Sequence, residues 1–277
     1  SGFILKTSKE MNLDQYKNMY FVGIGGIGMS ALARYFNYFG VSVYGYDKNE
    51  SELCKELKEE RMDIHYNAST DNIPDIIKDL TFKSELDNRR RDNLLVIYTP
   101  AIPLDNEELQ FFQKGNCDIK KRAAVLGEIS KDLFTIAIAG THGKTTTATI
   151  LAHILKSVGR QVIAFLGGVS NNYDTNLLLP KEITEETLLI VEADEYDRSF
   201  LHLNPNIAVI TSLDLDHTDT YASIDELELG FNQFISKIKK KGILLIEDSI
   251  EKYQLSDGVK SNKLSVPRLG SKWYYSF

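Results

Sequence analysis

The sequence predicts an α/β chain of two parallel-sheet units in tandem, and three observations carry that expectation. An apolar run, Met19–Gly23, leads through Gly23, Gly25, Gly26 and Gly28 into an amphipathic helical pattern at Met29–Phe39. A second run, Phe134–Ala139, leads through Gly140 and Gly143 into a helical pattern at Thr146–Val158. Further short apolar runs alternate with helical patterns between and after these two, which is the rhythm of strands joined by helical crossovers.

In the first unit, Leu32, Phe36 and Phe39 share one helix face, and Gly40 ends that helix. Val41–Tyr46 is the next strand, with Asp47 at its carboxyl end. Strand, glycine turn, helix and strand open a doubly wound, Rossmann-like domain. Its glycines supply a tight turn, room for a diphosphate and close helix–strand packing, and the acid accepts from a ribose hydroxyl. NAD, FAD and UDP-sugars all suit such a loop, and Asp47 also reads as a plain acid ahead of a helix. Ser51–Arg61 is a solvated helix, Met62–Tyr66 a third strand and His65 a structural histidine. Leu80–Asn93, with Arg89, Arg90 and Arg91, is a polar insertion without a role. The strand Leu94–Tyr98 delivers Thr99, Pro100 and Ala101 to the strand ends where ligands sit. Asp105 is expected to cap a helix at Glu107–Lys114. A boundary near Arg122, ahead of a helix at Ala123–Lys131, divides the chain into an N-terminal extension (1–18), a first domain (19–122) and a second (123–277).

The second unit opens on Phe134–Thr147, FTIAIAGTHGKTTT. A glycine loop between strand and helix brings several N–H groups and the helix's positive end towards one anion. Lys144 can reach the outer phosphates of a nucleotide, and the Thr145 hydroxyl can bind an accompanying Mg²⁺. The usual pattern has a glycine where Ile138 stands, so Gly140 is the first glycine of a shorter P-loop. Gly140, Thr141, His142, Gly143, Lys144, Thr145 and Thr146 are the candidate phosphate ligands. Gln161–Leu166 is a strand, and Val169–Leu179 reads as a polar loop. Leu188–Val191 is a strand with Glu192 at its tip, followed by Asp194, Glu195, Asp197, Arg198 and Ser199. A carboxylate at a strand tip beside a phosphate loop is placed to hold Mg²⁺. The strand Ile207–Thr211 leads to His217, a candidate ligand of a second metal. His153 and His202 read as structural. A helix at Ile224–Lys239 and a strand at Gly242–Glu247 follow, and the sequence after Glu247 shows no further ordered α/β unit.

Composition narrows the classes. With 43% hydrophobic and 26% charged residues the chain is an ordinary globular one, and its net charge of −7 argues against a nucleic-acid surface. Cys54 and Cys117 lie far apart with no metal-ligand spacing, the pattern of free thiols in a reducing cytoplasm. No apolar run approaches a membrane span, and no signal peptide is evident.

Together the motifs resemble the Mur ligase family: AGTHGKTTT at Ala139–Thr147, EADEYDRSF at Glu192–Phe200 and LDHTDTY at Leu215–Tyr221. VGIGGIGMSALA at Val22–Ala33, YTPAIP at Tyr98–Pro103 and KRAAVLGEI at Lys121–Ile129 resemble the member that adds the first amino acid. The resemblance implies an ATP-dependent carbon–nitrogen ligase of peptidoglycan precursor synthesis in the cytoplasm. In that chemistry the lactyl carboxylate of UDP-N-acetylmuramate attacks ATP, and L-alanine displaces phosphate from the acyl phosphate. Carried over by motif, the first-domain glycines would cradle the UDP diphosphate, with Asp47 near the uridine. Lys144, Glu192 and His217 would be catalytic. Thr145 and Glu192 would hold one Mg²⁺ and His217 a second. Thr99, Pro100, Ala101, Asp194, Tyr196, Arg198 and Ser199 would face the UDP-sugar. The family's third, C-terminal domain has no counterpart here, as expected of an incomplete chain. The rival readings are a murein tripeptide ligase of the same family, a non-catalytic UDP-sugar-binding fragment and an NAD-dependent oxidoreductase. The last leaves Lys144 unexplained.

Overall fold

A computed structural model describes residues 13–82, 93–115, 117–214, 221, 223–248, 250 and 253–264. Two sheets organise them. The first has five strands, β1 (Asn18–Val22), β2 (Ser42–Tyr46), β3 (Asp63–His65), β4 (Leu94–Tyr98) and β5 (Asp118–Lys121), in the order β3-β2-β1-β4-β5, all parallel. The second has β6 (Phe134–Ala139), β7 (Val162–Ser170), β8 (Thr175–Leu178), β9 (Leu188–Glu192), β10 (Ile207–Ile210), β11 (Ile243–Glu247) and β12 (Lys260–Leu264). Its order is β12-β11-β10-β6-β9-β7-β8, and β8 alone runs antiparallel, along β7. Helices α1 (Ile27–Tyr38), α2 (Glu52–Glu59), α3 (Asp75–Phe82), α4 (Glu107–Lys114), α5 (Arg122–Asp132), α6 (Lys144–Ser157) and α7 (Ile224–Ile235) connect the strands. The chain order reverses beside β1 in one sheet and beside β6 in the other. Both glycine loops leave their sheets at these switch points, where open α/β sheets bind ligands.

The two sheets share a core. Helix α1 lies over β7 and β8 of the second sheet. Leu32 and Tyr35 belong to one buried cluster with Leu126, Phe165 and Leu177. Polar groups lock the same contact. Asn176, fully buried, donates through Nδ2 to Ile27 O (2.6 Å) and Ser30 Oγ (2.8 Å), and its Oδ1 accepts from Arg34 Nη1 at 2.6 Å. Arg34 in turn donates to Glu56 (2.6 Å) and Glu60 (2.8 Å) at the α2 end. Helix α5 runs from the first sheet to the second, and its carboxyl end is fixed by Lys239. That ammonium donates to the Ser130, Lys131 and Leu133 carbonyls, a cation placed against a helix's negative end.

Several expectations need correction. Asn106 caps α4, its side chain accepting from Leu109 N, rather than Asp105. Strand β5 lies just ahead of the boundary expected near Arg122, where no strand was expected. The polar stretch after β7 contains β8, because Asn176 is buried by its interface hydrogen bonds and not exposed as its polarity suggested. A parallel edge strand, β12, follows Glu247. Helix α7 ends at Ile235, short of Lys239. His153 Nδ1 lies 2.8 Å from the Tyr173 hydroxyl, and His65 Nε2 lies 2.8 Å from the Tyr20 hydroxyl. Of the expected insertion Leu80–Asn93, Leu80–Phe82 close helix α3, while residues 83–92, like His217, lie outside the described residues.

Candidate functional site

The Gly140–Lys144 loop leaves β6 and enters α6 at Lys144. Gly140 (φ +131°) and Gly143 (φ +79°) take conformations that side chains resist, and a Cβ on Gly140 would strike the Thr211 hydroxyl. The segment after β10 pins the loop from beside it. Ser212 accepts from Thr141 N (3.2 Å, at its carbonyl) and His142 N (2.9 Å, at Oγ), while Thr141 Oγ1 accepts from Asp214 N at 2.7 Å. Thr146 continues the first turn of α6. Lys144 Nζ donates to Gly140 O (2.7 Å) and to the buried Glu195 carboxylate (2.9 and 3.1 Å). The Thr145 hydroxyl lies 2.9 Å from both oxygens of Glu192. Burial raises the Glu192 pKa. The Thr145 hydrogen bond, the Lys144 charge and the Gly167 N–H oppose the rise. A Cβ on Gly167 would occupy the place of the Glu192 carboxylate, so the glycine makes its cradle. A hydroxyl and a carboxylate held side by side are hard oxygen donors, the set that suits Mg²⁺.

A 350 Å³ cavity lies between the units. Gly26, Gly28, Thr99, Pro100 and Ala101 line it from the first, and Glu192, Asp194, Tyr196 and Ser199 from the second. Gly23, Gly25 and Asp47 stand behind this wall. The Asp47 carboxylate accepts from Gly25 N (2.8 Å) and Asn49 N (3.0 Å), so it shapes the glycine loop. Arg198 turns away to Glu226 at 2.7 Å. Asp197 (φ +51°) and Arg198 (φ +53°) form a strained left-handed pair next to the cavity-lining Tyr196 and Ser199. Two ion pairs hold that turn, Lys121–Asp197 at 3.3 Å and Arg198–Glu226. Sequence reasoning missed Arg122, which lines the cavity between the two walls, and Glu195, Gly167 and Asn176. The basic Lys120–Arg122 run was the only hint of the first, and it read as a domain boundary.

Two glycine loops at the switch points of two largely parallel sheets, the first lining a cavity that Glu192, bonded to Thr145 of the second, also borders, define a two-unit nucleotide-binding α/β protein. The chain belongs to the Mur ligase family: residues 18–133 match the Mur ligase family catalytic domain and residues 138–272 the Mur ligase middle domain. It is 50% identical over 236 residues to UDP-N-acetylmuramate–L-alanine ligase of Flavobacterium johnsoniae, covering 85% of this chain and 49% of the relative. It is 45% identical over 267 residues to the enzyme of the same name from Flavobacterium psychrophilum, covering 95% and 56%. The chain thus spans about half the length of the curated relatives it matches. The crystal structure of UDP-N-acetylmuramate-alanine ligase from Thermotoga maritima superposes with a TM-score of 0.70 at 28% identity, covering 89% of this chain and 53% of that one. A ligase from Neisseria meningitides, acting with UDP-N-acetylmuramate and a tripeptide, superposes at 0.73 with 21% identity, covering 89% and 78%, and shares the fold.

Proposed function

We propose that this chain carries the sugar-nucleotide and ATP sites of a ligase that joins L-alanine to the lactyl carboxylate of UDP-N-acetylmuramate, in cytoplasmic peptidoglycan precursor synthesis. The observation that carries the proposal is the cavity between the units, lined on one side by the first glycine loop and on the other by Glu192, the hydrogen-bond partner of Thr145 in the second loop. Both reagents are anions, and their repulsion has to be quenched before they can react. The division runs at Arg122, with the sugar nucleotide on 19–122 and ATP on 123–277.

In this scheme the Gly140–Thr146 loop takes the ATP phosphates on its N–H groups, and Lys144 leaves Glu195 to follow the charge that moves onto ADP. The first-domain glycines, with Thr99, Pro100 and Ala101, hold the diphosphate, and Asp194, Tyr196 and Ser199 face the sugar. Thr145 and Glu192 would hold one Mg²⁺ and His217, outside the described residues, a second; when bound, these ions supply charge neutralisation at the phosphate oxygens. The strained Asp197–Arg198 turn aims Tyr196 and Ser199. No protein nucleophile is required, because the substrate carboxylate is itself the attacking group. The two alanine-ligase relatives at 45% identity or more favour alanine over a tripeptide.

The test is ligand-induced stabilisation. At about a hundredfold excess over its dissociation constant, UDP-N-acetylmuramate should add about 2.7 kcal/mol and raise Tm, whereas NAD should not. Lys144→Ala should abolish the shift given by ATP and keep the one given by the sugar nucleotide. Stabilisation by NAD alone would remove the ligase assignment.

A further inference from the structure

Arg122 opens helix α5, directly after the last strand of the first sheet. Its side chain crosses to α1, where a Cβ on Gly28 would run into the guanidinium. It lines the inter-unit cavity and is mostly buried, and burial depresses its pKa while the Asp194 and Glu192 charges oppose. Neither carboxylate forms an ion pair with it, and among the described residues no hydrogen bond engages its five donors.

A partly desolvated guanidinium without a partner is unfavourable. Its surroundings add to the imbalance. Helix α1 starts at Gly26 with no side-chain cap, so its first N–H groups and its positive end face the same space. Two cationic features therefore converge on one point of the cavity. A singly charged carboxylate would satisfy one of them. An anion with two adjoining charged groups satisfies both, one on the helix N–H groups and one on the guanidinium fork.

We infer that Arg122 is the second jaw of a diphosphate site, gripping one phosphate while the Gly26–Gly28 turn holds the other. This rests on the sugar-nucleotide reading above and adds to it a residue that selects a diphosphate over a monophosphate. Gly28 then has two duties: its lack of a side chain opens the loop to the ligand and leaves room for the guanidinium.

The experiment is calorimetric titration of the 277-residue chain, and of its Arg122→Gln and Arg122→Lys variants, with UDP, UMP and ATP. Arg122→Gln should weaken UDP by roughly 10- to 100-fold, the range of one charge-assisted contact, and leave UMP and ATP within about threefold. Arg122→Lys should recover part of the loss, since an ammonium keeps the charge without the fork. Unchanged UDP affinity in Arg122→Gln, with lost preference for UDP-N-acetylmuramate over UDP-N-acetylglucosamine, would reassign the guanidinium to the lactyl carboxylate and overturn the inference. Equal losses for UDP, UMP and ATP would make Arg122 a structural residue and overturn it too. Failure of the unaltered chain to bind UDP at all would instead sink the sugar-nucleotide reading, so the two failures are distinct.

Discussion

Replacing Glu108 with glutamine should abolish a loss of stability that the protein otherwise suffers above neutral pH. Glu108 is fully buried on α4, against Tyr20 of β1 and His65 of β3. Tyr20 Oη lies 2.6 Å from Glu108 Oε2 and 2.8 Å from His65 Nε2, and His65 Nδ1 lies 3.0 Å from Asn67 O. A carbonyl only accepts, so Nδ1 carries the proton. The Tyr20 hydroxyl donates to Glu108 Oε2, while Glu108 Oε1 is buried without a hydrogen-bond partner among the described residues, so ionising this carboxyl is costly. Burial, with Glu107 nearby, accordingly pushes Glu108 up to about 8, despite the Tyr20 hydrogen bond; Asp63 and Tyr46 stand on the same side of the network.

The sign follows from linkage. A carboxyl whose folded pKa is raised contributes stability fully present below its unfolded value of 4.5 and lost as pH rises through about 8. His65, lowered by burial, works the other way: it loses stability as pH falls below its ordinary 6.5, so the two offset each other on the acid side. Between pH 6.5 and 8 only Glu108 acts, at about 1.4 kcal/mol per pH unit, or about 2 kcal/mol over the interval. Urea unfolding of both proteins at half-unit pH steps reads this directly. The stability difference in favour of Glu108→Gln should widen by about 2 kcal/mol across that interval. A constant difference would mean that Glu108 ionises normally despite its burial.

Two further substitutions probe the site. Asn176→Ala removes three hydrogen bonds between the units, one of them to a guanidinium, and should destabilise the chain by about 2–4 kcal/mol in urea melts. Because two of the lost bonds secure the start of α1, UDP affinity should fall along with stability, and an effect under about 0.5 kcal/mol would show the interface to be solvated. Gly167→Ala pushes the Glu192 carboxylate from its cradle and should weaken ATP roughly tenfold with Mg²⁺ present but little in its absence. An equal loss in both titrations would separate Glu192 from the metal.

Both glycine loops were legible because their chemistry is local. Strand, glycines, lysine or acid, and helix follow within a few residues, and backbone geometry leaves few other choices. The buried strands β1, β4, β6 and β9 were legible for the same reason, as unbroken apolar runs. Strands β5 and β12 were not. Asp118–Lys121 and Lys260–Leu264 are edge strands whose lysines keep them polar, so no apolar pattern marks them. Strand β8 stayed hidden because Asn176 is buried through partners more than a hundred positions away. Separations of 94 and 88 positions likewise hide Arg122 from Gly28 and Glu108 from Tyr20. Glu195 is a subtler case. Its acidic neighbourhood stood out, but which carboxylate would meet Lys144 depended on the kinked turn at Asp197–Arg198.

That turn has a consequence for how the protein is handled in solution. Two bulky residues are kept in a backbone state that relaxes on release, and both ties are half exposed, with side-chain exposures between 36% and 44%. Ties of this kind fade as electrolyte is added, over a screening length of about 8 Å at physiological ionic strength and about 3 Å at molar salt. Concentrated brine therefore loosens this edge of the cavity while the apolar interior stays intact, and buffers of modest ionic strength preserve its shape.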